Sequence, residues 1–144
     1  MNSLPKKNAN QAGFSLLEVL VAVLVLSVGV LGMAGLQLNS MKFNQTATIR
    51  SQATVLSYDI ADRMRANRAV AKAGGYSIAI TDEPSGTSIS SIDLQQWRTA
   101  LSQYLPEGKG SVAAAGDNVL ITVTWSEGRL GAADAQKFVF ETRL

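Results

Sequence analysis

Hydrophobic and polar positions divide this chain into stretches of different period. Residues 1–13, MNSLPKKNANQAG, are polar and cationic. From Val19 to Leu36 there are 18 residues without a charge, which in a helix rising about 1.5 Å per residue span roughly 27 Å, close to a hydrocarbon core of about 30 Å. From Gln37 to about Ala71 neither proline nor glycine interrupts the chain, and the pattern becomes one-sided. Ile49, Ala53, Leu56, Ile60 and Met64 recur at spacings of 4, 3, 4 and 4, the stripe of an amphipathic helix. Asp59 with Arg63 and Asp62 with Arg65 fall at helical spacing on the solvated side. The pattern predicts one helix of more than 50 residues that Gly74-Gly75 stops.

The period then shortens. Tyr76, Ile78 and Ile80 alternate and predict a short strand, followed by a Ser/Thr/Gly/Pro loop over 82–91. Asp93 with Gln96 resembles a capping box, and Leu94, Trp97, Leu101 and Tyr104 make the apolar face of a short helix ended by Pro106. Ser111 to Ala114 reads as a weak strand. Val119, Ile121, Val123 and Trp125 alternate strictly with Leu120, Thr122 and Thr124 and predict the best strand in the chain. After a loop over 128–135, Gln136 to Arg143 alternates again, with Phe138 and Phe140 on one face. These two strands are expected to pair antiparallel, with Trp125 and the phenylalanines toward the long helix. There is no internal repeat.

Composition changes this picture at a few points. Mean hydropathy is +0.12, high for a soluble protein, but the excess lies between Phe14 and Leu38. The net charge is +2, and Lys6 and Lys7 account for that surplus. The sequence has no cysteine and no histidine, which excludes disulfides, thiolate metal sites, cysteine nucleophiles and imidazole acid–base chemistry. The serine-rich loop Ser85 to Ser91 has no neighbouring base to activate a hydroxyl. No catalytic residue, metal site or cofactor is expected. The cluster Arg63, Arg65, Arg68 and Lys72 lacks interleaved aromatics for base stacking, so it reads as cations favoured by a helix C-terminus, not as a DNA-binding patch.

Glu18 is the one acid just inside the apolar run, where a central charge costs about 2.5 to 3.5 kcal/mol on insertion scales. An ordinary secretory signal ending at Gly32-Met33-Ala34, with Gly35 first in the mature chain, would release a binding domain to the periplasm. The run is longer than the usual h-region of 7 to 15 residues and contains that acid, which disfavours this alternative. Gly29, Gly32 and Gly35 recur every three residues. Each costs about 0.5 to 1 kcal/mol relative to alanine in a helix interior, so together they mark a segment that packs closely or loosens easily.

With Gly13-Phe14 and Glu18 in place, residues 13–36, GFSLLEVLVAVLVLSVGVLGMAGL, resemble the prepilin N-terminus of the type IV pilins. Gly32-Met33-Ala34-Gly35-Leu36-Gln37, Asp62-Arg63-Met64-Arg65-Ala66-Asn67 and the strand ending Val123-Thr124-Trp125 are similar to the minor pilin PilV family, the type IV pilus modification proteins. Gly35 stands where many major pilins carry a proline, and the cysteines of many pilins' C-terminal loop are absent.

The resemblance implies cleavage between Gly13 and Phe14 by the prepilin peptidase, N-methylation of Phe14, and Glu18 as a docking charge for the Phe14 amine of a neighbouring subunit. It implies an α+β, pilin-like fold: a long N-terminal helix, transmembrane in its first half, packed on a small antiparallel sheet. The expected divisions are a cleaved leader (1–13), a transmembrane or filament-core helix (14–38), an amphipathic continuation (39–73) and a small periplasmic head (74–144). The expected role is that of a minor pilin, held by a single pass in the inner membrane and then carried into the extracellular pilus at its tip. There it would help initiate or prime pilus assembly with other minor pilins, the major pilin and the assembly machinery, contributing to adhesion and twitching motility. A minor pseudopilin of type II secretion shares the N-terminal signal and is the close alternative.

Overall fold

The computed structural model describes residues 14–128 and 135–144. Its elements are α1 (Leu16–Ala66), α2 (Arg68–Lys72), α3 (Ile89–Tyr104), β1 (Lys109–Ala115), β2 (Asn118–Ser126) and β3 (Ala135–Arg143). By their contacts, residues fall into two units, Met1–Ser40 and Met41–Leu144. In the first, Phe14 and Ser15 precede the helix, which runs from Leu16. The long helix and the three-stranded sheet make the fold α+β and pilin-like, as expected.

The second unit is built on the predicted stripe. Ile49, Ala53, Ile60 and Met64 of α1 are buried and Leu56 is half-buried, and the small residues Ser57 and Ala61 let neighbouring elements approach. Onto this face pack Leu94, Trp97 and Leu101 of α3, and Val112, Val119, Ile121, Val123 and Trp125 of the sheet. The Trp97 indole N–H donates to the Leu56 carbonyl at 2.9 Å, tying α3 to α1. Phe140 of β3 meets Tyr58 of α1 with ring centroids 4.6 Å apart.

The sheet has the order β1-β2-β3 with both pairings antiparallel. Val119, Ile121, Val123 and Trp125 all point inward, as the alternation predicts. Gly116 supplies φ 62° in the two-residue turn between Ala115 and Asn118. Phe138 and Phe140 share the half-buried face of β3.

Three local expectations are corrected. The long helix ends at Ala66, not near Ala71: Asn67 leaves helical geometry at φ −115° and ψ 47°, its side chain reaches the Tyr76 hydroxyl, and α2 follows. Tyr76 to Ile80 forms no strand; only Ile78 exchanges ladder bonds, with Val112. The carbonyls of Ala79, Ile80 and Asp82 instead accept from the Arg98 guanidinium. Finally, α3 begins four residues before Asp93. Ser88 is its N-cap, accepting from the Ser91 N–H at 3.1 Å, while Asp93 is recruited by Arg63 and Tyr76.

Candidate functional site

The chemistry singled out by the sequence gathers at the start of α1. Gly13 lies outside the described residues, so of the Gly13-Phe14 junction only Phe14 is placed. It precedes the helix with 84% of its surface exposed. Ser15 then opens α1: its hydroxyl and its carbonyl both accept from the Glu18 N–H, at 3.2 and 3.1 Å. Ser15-Leu16-Leu17-Glu18 is therefore a Ser-x-x-Glu start signal, with the acid in the first turn where the helix dipole favours it. That signal was present in the sequence and supplies a second, purely local reason for an acid at this position. Glu18 is exposed, and among the described residues no cation pairs with it.

Beyond Glu18 the helix presents apolar side chains on every side. Leu20, Leu24, Leu31 and Leu36 are 65 to 72% exposed, and none of the most hydrophobic window is buried by the rest of the chain. That window has a mean hydropathy of 2.7, enough by length and composition to cross a membrane. The one hydroxyl in its middle, Ser27, donates to the Val23 carbonyl at 2.7 Å, leaving no unsatisfied polar group there. The helix runs unbroken through Gly29, Gly32 and Gly35, and a Cβ at any of them would meet nothing within 4 Å. Met41 and Phe43, not singled out from the sequence, extend large exposed apolar side chains past Leu38.

In the second unit, the basic cluster is bound up in ion pairs. Arg63 reaches Asp59 at 3.1 Å and Asp93 at 3.2 Å, and its Nη1 also donates to Gln96. Arg65 pairs with Asp62, while Arg68 and Lys72 converge on Asp117. The hydrogen bond from Lys72 holds the Asp117 carboxyl below its ordinary range, reinforced by the charges of Lys72, Arg68 and Arg143. Burial, with the hydrogen bond to Asp93, pushes the Tyr76 phenol up. Burial lowers Arg98. These contacts tie α1 to α3 and α2 to the β1–β2 turn. Among the described residues no group of three or more His, Cys, Asp or Glu is placed to hold a metal.

Compared with known families, residues 8–34 match the prokaryotic N-terminal methylation motif. No curated protein and no solved structure matches the chain. The matched segment carries a prepilin-like leader and indicates a type IV pilin-like or pseudopilin protein, a class that is normally structural. Such a leader implies processing by prepilin peptidase, and the apolar helix behind it fits membrane anchoring.

Proposed function

We propose that the chain is a minor type IV pilin of the PilV kind, which helps initiate or prime pilus assembly and contributes to adhesion and twitching motility. The observation that carries this reading is the methylation motif at residues 8–34 lying on a helix whose apolar side chains find no cover within the chain. The motif supplies the processing chemistry, and the uncovered helix supplies the need for lipid first and for other subunits later.

In this account residues 1–13 are removed as a leader on the cytoplasmic side, and the new amine on Phe14 is methylated. Residues 14–38 hold the subunit in the inner membrane, 39–73 continue the helix, and 74–144 form a periplasmic head. On assembly, residues 14–38 leave lipid for the filament core among other minor pilins and the major pilin, near the pilus tip. An ammonium and a carboxylate are each costly in such a core unless paired. Glu18 neutralises the Phe14 amine of a neighbour and sets axial register. Gly29, Gly32 and Gly35, with open space at each Cβ position, let a neighbouring helix approach closely.

A minor pseudopilin of type II secretion shares the motif. The Asp62-Arg63-Met64-Arg65-Ala66-Asn67 stretch supports the pilus reading. Deleting the gene in its host and complementing it in trans separates the two. Reduced surface piliation and twitching with normal secretion of folded exoproteins is expected; the reverse pattern would move the chain to the secretion system.

A further inference from the structure

Strand β3 ends the sheet and leaves one edge of it open. The Leu144 N–H donates to the Asp117 carbonyl, one step beyond the register that pairs Asn118 with Arg143. Hydrogen-bonded and non-hydrogen-bonded pairs alternate in an antiparallel ladder, so the even-numbered residues of β3 bond β2. Ala135, Lys137, Val139, Glu141 and Arg143 turn their N–H and C=O groups the other way. Among the described residues these outward groups find no partner except the Arg143 carbonyl, which accepts from the Thr142 hydroxyl at 3.5 Å. At the opposite edge of the sheet, by contrast, Ser77 and Ile78 cover β1.

The same odd-numbered residues present exposed side chains on the outer face of the sheet. Along β3 they read positive at Lys137, apolar at Val139, negative at Glu141 and positive at Arg143. Neither Lys137 nor Glu141 has an ion-pair partner among the described residues. A lysine on an edge strand ordinarily blunts pairing with another chain; here its complement lies four positions along the same strand.

We propose that this edge pairs with the β3 edge of a second copy, antiparallel about a two-fold axis at Val139. That residue is the midpoint of Ala135–Arg143, so the whole strand overlaps. Outward N–H and C=O groups then oppose one another, and Lys137 of each copy faces Glu141 of the other. With the axis at 138 or 140, Lys137 would face Val139 or Arg143; at 137 or 141, like charges would meet, which is unfavourable. On the inner face, the register at Val139 sets the half-buried Phe138 against Phe140 of the other copy, an aromatic cross-strand pair. Arg50 and Thr54 lie beside Gln136 and Phe138, Tyr58 beside Phe140, and Arg65 reaches Thr142, so residues 50–65 of α1 run along β3. A two-fold axis normal to the sheet therefore turns these segments of the two copies antiparallel. On the pilin reading above, on which this consequence alone rests, the contact joins subunits of separate filaments.

The test is the monomer–dimer equilibrium of the full chain in detergent micelles, followed by sedimentation, which needs neither leader processing nor pilus assembly. A concentration-dependent dimer is expected. Lys137→Glu and Glu141→Lys, both on exposed positions, should each weaken it on the order of tenfold, and mixing the two variants should restore it, because every opposed pair is again of opposite sign. In a chain that has no cysteine, Val139→Cys should give a disulfide-linked dimer on mild oxidation, while Leu120→Cys on the middle strand should not. Absence of a dimer, a dimer indifferent to Lys137→Glu, failure of the mixture to recover, or equal cross-linking through Leu120→Cys would overturn the proposal; indifference to Lys137→Glu would place the association in the apolar helix instead.

Discussion

Replacing Glu18 by glutamine separates two roles that the start of α1 allows for this side chain. Glutamine retains the ability to complete a capping box with Ser15, whose hydroxyl and carbonyl already accept from the N–H of residue 18. What the substitution removes is the charge. An exposed acid in a helix first turn contributes about 0.3 to 1 kcal/mol through the dipole, which is less than a tenfold effect on any equilibrium. An acid paired with an ammonium inside an apolar helix bundle behaves differently, because deleting one member leaves the other charge buried and costs about 3 to 5 kcal/mol. That corresponds to a loss of roughly two to three orders of magnitude or more in assembly affinity. The assay co-expresses distinguishable wild-type and Glu18→Gln chains and compares their ratio in membranes with their ratio in sheared pili. Equal amounts in membranes with near-exclusion from pili is expected. Incorporation of the variant within about fivefold of wild type would leave only the dipole effect and refute the docking role.

Further outcomes follow from the second unit. Gly110→Ala would place a methyl group inside contact distance of the Trp97 ring and 2.6 Å from Leu101 Cδ1, so overpacking should destabilise the unit by about 1 to 3 kcal/mol in denaturant unfolding. Trp97→Phe removes the donor to the Leu56 carbonyl and should cost about 1 to 2 kcal/mol, lowering the melting temperature by several degrees. The Asp117 carboxyl titrates below its ordinary value because Lys72 hydrogen-bonds it. Its contribution is therefore present above about pH 4, the unfolded value, and is lost as pH falls through the folded value. Urea unfolding of wild type and Asp117→Asn between neutral and strongly acid pH should show the difference shrinking below about pH 4.

The elements that the sequence announced are those whose cause is local and periodic. An uncharged run followed by a stripe at helical spacing was enough for α1, and strict alternation from Val119 to Trp125 was enough for the buried face of β2. Where a long-range partner decides, local reading failed. Asn67 breaks the helix without glycine or proline because its amide joins Tyr76, nine residues on. Tyr76 to Ile80 alternates like a strand, but Arg98 of α3 claims the carbonyls that a neighbouring strand would have bonded. Asp93 resembled a cap and is in fact the acceptor for Arg63 and for the Tyr76 hydroxyl.

The candidate site divides in the same way. The Gly13-Phe14 junction and Glu18 stand out in the sequence because they lie in one contiguous segment, the one the methylation motif matches. The ion pairs that bind up the basic cluster were only partly legible, since Asp59 and Asp62 lie one turn from their arginines while Asp93 and Asp117 come from distant elements.

The central claim is that residues 1–13 are a leader and that Phe14 begins the working protein. Intact-mass and N-terminal peptide analysis of the chain purified from membranes of its host tests it most directly. The account predicts a mature chain beginning at Phe14 with a monomethylated amine, and retention of the leader when Gly13 is replaced by a bulky residue or the prepilin peptidase is absent. A mature chain beginning at Gly35, after cleavage at Ala34, would contradict it.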